Sequence, residues 1–293
     1  MSYPTFDLSR LDPHSWSEIG ASPKNIPPLS VSADLHSPTI QSLGEELVKA
    51  RNQGGATVFL CDADTITHAV SRDLIDMISR GLVTHVALEL SAARKDWQFA
   101  WSDQHGSKAE ESAEKLEFRW LNELETHAAL PRSSYFSAGE FVGQRLFESE
   151  APFKDDSVLA QGYRWGVPVT IHNSYLPEPP CALELLTREI DFLVLANSIE
   201  NLDQGLVYQF GQPTMPLEAF MVALEIARSI AARYGRTIDD FTATSFTDST
   251  VAGSVKGVHQ TLSVERSFSV QGNARDAISS MRQAALSFAG WNE

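Results

Sequence analysis

Short polar clusters stand at the ends of apolar runs throughout this chain. Asp62-Ala63-Asp64 follows ATVFLC, Glu89-Leu90-Ser91-Ala92 follows VTHVAL, His172-Asn173-Ser174 follows VPVTI, and Thr244-Ser245 closes the run that starts at Phe241. The chemistry on offer is specific. Carboxylates can hold an ammonium group or take up a proton, a histidine titrates near neutrality, and hydroxyls both donate and accept hydrogen bonds. A further turn, Phe210-Gly211-Gln212-Pro213, joins a short apolar strand to a long amphipathic helix, and its glycine lets the backbone approach a ligand closely. In open α/β sheets, ligands bind outside the carboxyl ends of the strands, where the N-termini of the following helices face outward. All of these clusters can meet at such an edge.

The elements that would position them are legible from periodicity. Ser37-Pro38 caps a helix carrying Ile40, Leu43, Leu47 and Val48, which stops at Gly54-Gly55. Ala56 to Cys61 then reads as a buried strand, followed by a helix through Leu74 and Ile78 to Gly81 and a second strand from Val83 to Leu88, together a βαβ unit. A charged helix lies between Lys108 and Leu130, its apolar side formed by Leu116, Trp120, Leu121 and Leu124. Asp155 to Trp165 reads as a helix, Val167 to Ile171 as a strand, Ala182 to Glu189 as a helix, and Phe192 to Ala196 as a strand. Leu206 to Phe210 is the next strand, Pro216 to Tyr234 a long helix, Phe241 to Phe246 a strand, Thr261 to Val270 an extended segment, and about Ala274 to Ala289 a closing helix. Residues 1 to about 30 carry five prolines and little periodicity, so they are expected to form an extended arm lying on the body or on a neighbouring subunit. With no long linker and no internal repeat, residues 31–293 form one α/β domain with helices on both faces of a mostly parallel sheet.

Composition excludes several classes. At 293 residues with 43% hydrophobic content the chain can bury a large core. A net charge of −15 without a basic cluster argues against a nucleic-acid partner and would attract a cationic substrate. No run is long enough to span a membrane and the first residues lack a leader pattern, so the cytoplasm is the expected compartment. Cys61 and Cys181 form neither a disulfide framework nor a metal-ligand pair at zinc spacing, and no metal is expected. The sequence has no G-x-G-x-x-G, Walker loop, G-x-S-x-G elbow or H-E-x-x-H.

Three stretches, DLIDMISRGLVTHVALELSAARKDWQFA, LAQGYRWGVPVTIH and GLVYQFGQPTMPLEAFMVALEIARSIA, together with the closing NARDAISSMRQAALSFAG, resemble the deoxyhypusine synthase family, especially its bacterial deoxyhypusine-synthase-like branch. The resemblance implies a Rossmann-like fold, NAD as cofactor, a polyamine or related small amine as substrate, and assembly as a homotetramer. It also implies a transferase that passes an aminobutyl fragment through an imine. On that resemblance Ala63, Asp64, Glu89, Ser91, Ala92, Gly211, Gln212, Thr244 and Ser245 face the cofactor, and Asp96, His172, Asp248 and Lys256 are the catalytic candidates. A lysine suits imine formation because a neutral amine condenses with a carbon electrophile. Two departures stand out. Leu90 occupies a position where the family usually has glycine, and HQTLSVER replaces the family's Trp-Gly-Lys, leaving Lys256 in GSVKG as the nearest lysine. The alternative is a relative that has lost this chemistry, either an accessory subunit or an enzyme of specialised metabolism using the same pocket.

Overall fold

The computed structural model of the chain describes residues 2–10, 29–32, 38–102, 113–130, 136–172, 182–247 and 266–291. Its strands are β1 (Leu29–Ser32), β2 (Thr57–Cys61), β3 (His85–Glu89), β4 (Val169–His172), β5 (Leu206–Phe210), β6 (Thr242–Thr247) and β7 (Arg266–Gln271). Its helices are α1 (Pro38–Gln53), α2 (His68–Ser79), α3 (Leu90–Trp101), α4 (Ala113–Ala128), α5 (Ala138–Glu148), α6 (Val158–Trp165), α7 (Ala182–Ile199), α8 (Thr214–Arg233) and α9 (Ala274–Ala289).

The strands form one sheet in the order β1-β7-β6-β5-β2-β3-β4, with every pairing parallel. Counted from β2, this is the 3-2-1-4-5-6 order of doubly wound dinucleotide-binding sheets, with β1 added beyond the last strand. The chain runs outward through β3 and β4, crosses back, and continues through β5, β6 and β7. The reversal falls between β2 and β5, whose last residues, Cys61 and Phe210, are paired in register.

Every side chain of β2 and β5 is buried, because helices cover both faces and each face needs apolar residues. Val58, Leu60 and Val207 meet a layer containing α7 and α8; Phe59, Cys61, Tyr208 and Phe210 meet α1, α2 and α9. Phe210 is held from two sides, with ring centroids 5.0 Å from Phe59 and 4.8 Å from Phe246. Each such ring pair contributes about 0.5–1.5 kcal/mol beyond its buried area. The turn that begins at Gly211 is therefore anchored on a rigid base.

The expected arrangement holds, with the unexpected β1 and α5 added to it and two elements corrected. Phe192 to Ala196 is helical, part of α7. A five-residue apolar run carries no period of its own, and what decides it is that Asp191, Val194, Leu195 and Ile199 face the body at helical spacing. Expected helix 155–165 begins instead at Val158: Lys154–Asp156 form a 3-10 turn, and the Ser157 side chain caps α6 by accepting from the Ala160 amide. Of the proline-rich arm, residues 2–10 do lie on the body. Tyr3 and Phe6 are buried, and the Phe6 amide donates to the Leu193 carbonyl at 3.0 Å. No helix among the described residues is long and apolar enough to cross a membrane.

Candidate functional site

The carboxyl ends of β2, β3, β4 and β5 bring together Asp62, Ala63 and Asp64, then Glu89 and Ser91, then His172, and finally Gly211 and Gln212. Asp62 ties two of these turns together. Its Oδ1 accepts from the Thr65 amide at 2.8 Å and the Thr65 hydroxyl at 2.7 Å, and its Oδ2 accepts from the Gln212 amide at 2.7 Å. The Thr65 hydroxyl also lies 3.2 Å from the Phe210 carbonyl, closing the link from the β2 side. Gly211 has φ of +71°, the left-handed region that favours glycine. The group that makes use of its missing side chain is the protein's own Asp62.

Glu89 ends β3 and directly precedes α3, yet its side chain makes no cap for that helix. Its carboxylate faces the first amides of α8, those of Thr214 and Met215, while the Ser91 hydroxyl lies 3.5 Å away. Burial raises the Glu89 carboxyl above the usual range and the nearby Asp62 charge adds to the effect, with the α8 amides opposing both. Asp64 is exposed at the mouth. Lys95, which the sequence reading passed over, reaches back from α3 to place Nζ 2.8 Å from the Ala63 carbonyl. Its only signal in sequence was a position one turn inside the helix that follows Glu89.

His172 is buried at the end of β4, where its Cα is the register partner of Glu89. Its Nε2 lies 2.9 Å from the Thr170 hydroxyl, and burial lowers its pKa to about 3. Thr244 and Ser245 sit lower, inside β6 and fully buried. The Ser245 hydroxyl donates to the Gln209 amide oxygen at 3.1 Å, so it bonds to the neighbouring strand. Ala92 is buried in α3.

Asp96 lies elsewhere. It is at the middle of α3, fully buried, with its carboxylate accepting from the Ser157 hydroxyl at 2.7 Å and from the amides of Val158 and Leu159 at 2.9 and 3.0 Å. It satisfies the exposed donors at the start of α6, the task of a capping residue. Asp191 does the same for α5, accepting from Ala138 and Gly139, and also binds the Ile171 amide of β4 at 2.7 Å. Lys256 and Asp248 lie outside the described residues, and among the described residues no cluster suited to a metal ion occurs.

The arrangement bears directly on a dinucleotide. Glu89, at the end of the second strand of the doubly wound unit, stands where an acid meets the ribose hydroxyls in NAD-binding sheets. The phosphate position does not fit as it stands. The Thr65 and Gln212 amides are taken by Asp62, the α8 amides face Glu89, and both partners carry or can carry negative charge.

Known structures share this architecture at low sequence identity. Over 87% of the chain it superposes on ArgZ, an arginine dihydrolase from the ornithine-ammonia cycle in cyanobacteria, with TM-score 0.54 and 13% identity. It also superposes on a LOR/SDH protein from Methanococcus maripaludis S2, with TM-score 0.54 and 11% identity over 90% of the chain. AgrE, solved as a ternary complex with ornithine and NAD+, gives TM-score 0.52 and 14% identity over 86% of the chain. The fold is Rossmann-like. The chain spans 32% of ArgZ, 33% of AgrE and 74% of the LOR/SDH protein. No family matches the chain by sequence, and no curated protein does. The likeness to deoxyhypusine synthases accordingly stands on the quoted segments alone.

Proposed function

We propose that this chain is an enzyme subunit that takes a small cationic amine, of the kind ornithine or a polyamine presents, in the crevice outside β2, β3 and β5. One observation carries the reading: the Asp62 carboxylate occupies the Thr65 and Gln212 amides that an anionic ligand would need, the Glu89 carboxylate faces the start of α8, and Asp64 stands at the mouth. An ammonium group entering there meets carboxylate oxygens and the overall charge of −15. The AgrE complex, which holds ornithine, supports the same ligand class by analogy of fold.

NAD is the second reading. Glu89 at the end of β3 and the NAD+ present in the AgrE complex favour it. Its phosphates could enter only with Asp62 moved off Gln212. Aminobutyl transfer through an imine is the finer form of the proposal, and it calls for a lysine amine. Lys95, beside the Ala63 carbonyl, and Lys256 are the two to test, by borohydride reduction after incubation with 4-aminobutanal and peptide mapping of the label. Homotetrameric assembly belongs to the proposal too, and sedimentation velocity at micromolar concentration tests it.

The deciding experiment is calorimetric titration with ornithine, putrescine, spermidine and NAD+. Amine binding that weakens at least tenfold in Glu89→Gln supports the main reading, and binding of NAD+ alone transfers support to the second. Heat from none of the four leaves the accessory-subunit alternative standing.

A further inference from the structure

A line of hydrogen bonds runs from the end of β4 into the interior on the α7 face of the sheet. The His172 Nε2 lies 2.9 Å from Thr170 Oγ1, the same oxygen lies 2.8 Å from His85 Nε2, and His85 Nδ1 lies 2.9 Å from Ser198 Oγ on α7. Ser198 Oγ is in turn 3.4 Å from the Val194 carbonyl. His85 and Thr170 are fully buried, and nothing in the structural role of β3 or β4 calls for two histidines on one hydroxyl.

The geometry restricts what this line can be. A threonine hydroxyl has one hydrogen, so it can donate to only one of the two Nε2 atoms and must accept from the other. Buried neutral imidazoles carry one N–H each. The two histidines must therefore be opposite tautomers. If His172 carries its proton on Nε2, Thr170 donates to His85, His85 holds its proton on Nδ1 and donates to Ser198, and Ser198 donates to Val194. That state satisfies every group in the line, and it leaves His172 Nδ1 as a bare lone pair. In the other state every proton shifts along, His172 Nδ1 carries the hydrogen, and the Val194 contact loses its donor. His172 Nδ1 has no hydrogen-bond partner among the described residues, and its strand position is in register with Glu89.

We propose that His172 Nδ1 is a hydrogen-bond acceptor for a ligand of the crevice and that Thr170, His85 and Ser198 are positioning residues that fix it in the lone-pair form. The role for the amine rests on the ligand reading above: Nδ1 accepts a hydrogen bond from the bound ammonium group, which keeps its proton because the buried imidazole is far the weaker base.

Long-range nitrogen–proton NMR of the histidine rings tests the positioning part in the free protein at pH 7. His172 is expected as the Nε2–H tautomer and His85 as the Nδ1–H tautomer. Ser198→Ala, two links away and mild in volume, is expected to move His172 toward a tautomer mixture. Thr170→Val is expected to do so more strongly, and Thr170→Ser to restore the wild-type pattern. Identical tautomers for the two rings, or a His172 spectrum indifferent to both Ser198→Ala and Thr170→Val, overturns the proposal whatever binds. Ornithine is then titrated into the labelled protein. Saturable binding with a shift at His172 Nδ1 supports the acceptor role, and binding without it removes that role while leaving the amine reading intact. Absence of ornithine binding counts against the amine reading and the acceptor role together, and the free-protein spectra still decide the tautomer line.

Discussion

Asp62 fills the space that Gly211 leaves open: a Cβ built on Gly211 would lie inside the Asp62 carboxylate, 2.5 Å from its Cγ. The two residues are 149 positions apart and directly follow the two strands between which the sheet reverses direction. The glycine and the aspartate are thus one device. It closes the crevice at the point where dinucleotide-binding sheets admit a pyrophosphate.

Gly211→Ala is expected to destabilise the protein by about 1–2 kcal/mol from the left-handed backbone alone. Displacing Asp62 from the Gln212 and Thr65 amides adds about 1–3 kcal/mol more. Asp62→Ala loses the second contribution only, so the double variant should be less destabilised than the sum of the singles. Chemical denaturation of the three variants measures this, and strict additivity would show that the residues act independently.

Asp96→Ala is expected to cost about 3 kcal/mol by leaving the Ser157, Val158 and Leu159 donors without their carboxylate, with ligand affinity unchanged. Denaturation and calorimetry on the same preparation separate the two effects. A loss of affinity at unchanged stability would return Asp96 to the site.

The contrast between Asp96 and Glu89 shows where sequence reading reaches and where it stops. The strands, the βαβ connections and the Gly211 turn follow from period, apolar runs and glycine position, all local properties. Which carboxylate turns toward the crevice and which caps a helix 60 residues away is a property of packing. Glu89 just before α3 and Asp96 in its middle are both acids, and nothing local says which of them faces the crevice. Asp62 reads as a strand-end acid, but its partner Gln212 lies in the turn after another strand. The run from Phe192 to Ala196 misled for the same reason, since Asp191, just before it on α7, is held by amides of α5 and β4 that are remote in the chain.

Phe6→Ala is expected to cost about 3 kcal/mol, the usual range for a fully packed aromatic. Phe6 is buried against α7 and α8, and Arg10 behind it pairs with Glu200 at 2.6 Å. If thermal unfolding of the variant moves by less than a degree, the first ten residues contribute little to the body they lie on.

The buried histidines and Asp191 predict opposite pH dependences. Burial lowers His85 and His172 to about 3, far below their ordinary value near 6.5. Between those limits the unfolded chain binds the extra proton, so each histidine makes the protein less stable as pH falls, by about 1.4 kcal/mol per pH unit. Asp191 is pushed up to about 7 by burial, against three amide donors that favour its charged form. From about 3.8 to about 7 it is the folded chain that holds the extra proton, so the contribution of Asp191 is full at low pH and is lost as pH rises toward 7. The measurement is a difference in unfolding free energy between wild type and variant. Wild type minus His172→Gln should grow from pH 4 to 6.5 and then level. Wild type minus Asp191→Asn should shrink from pH 4 to 7 and then level. A flat second curve would mean that the Ala138, Gly139 and Ile171 amides hold Asp191 ionised in spite of its burial.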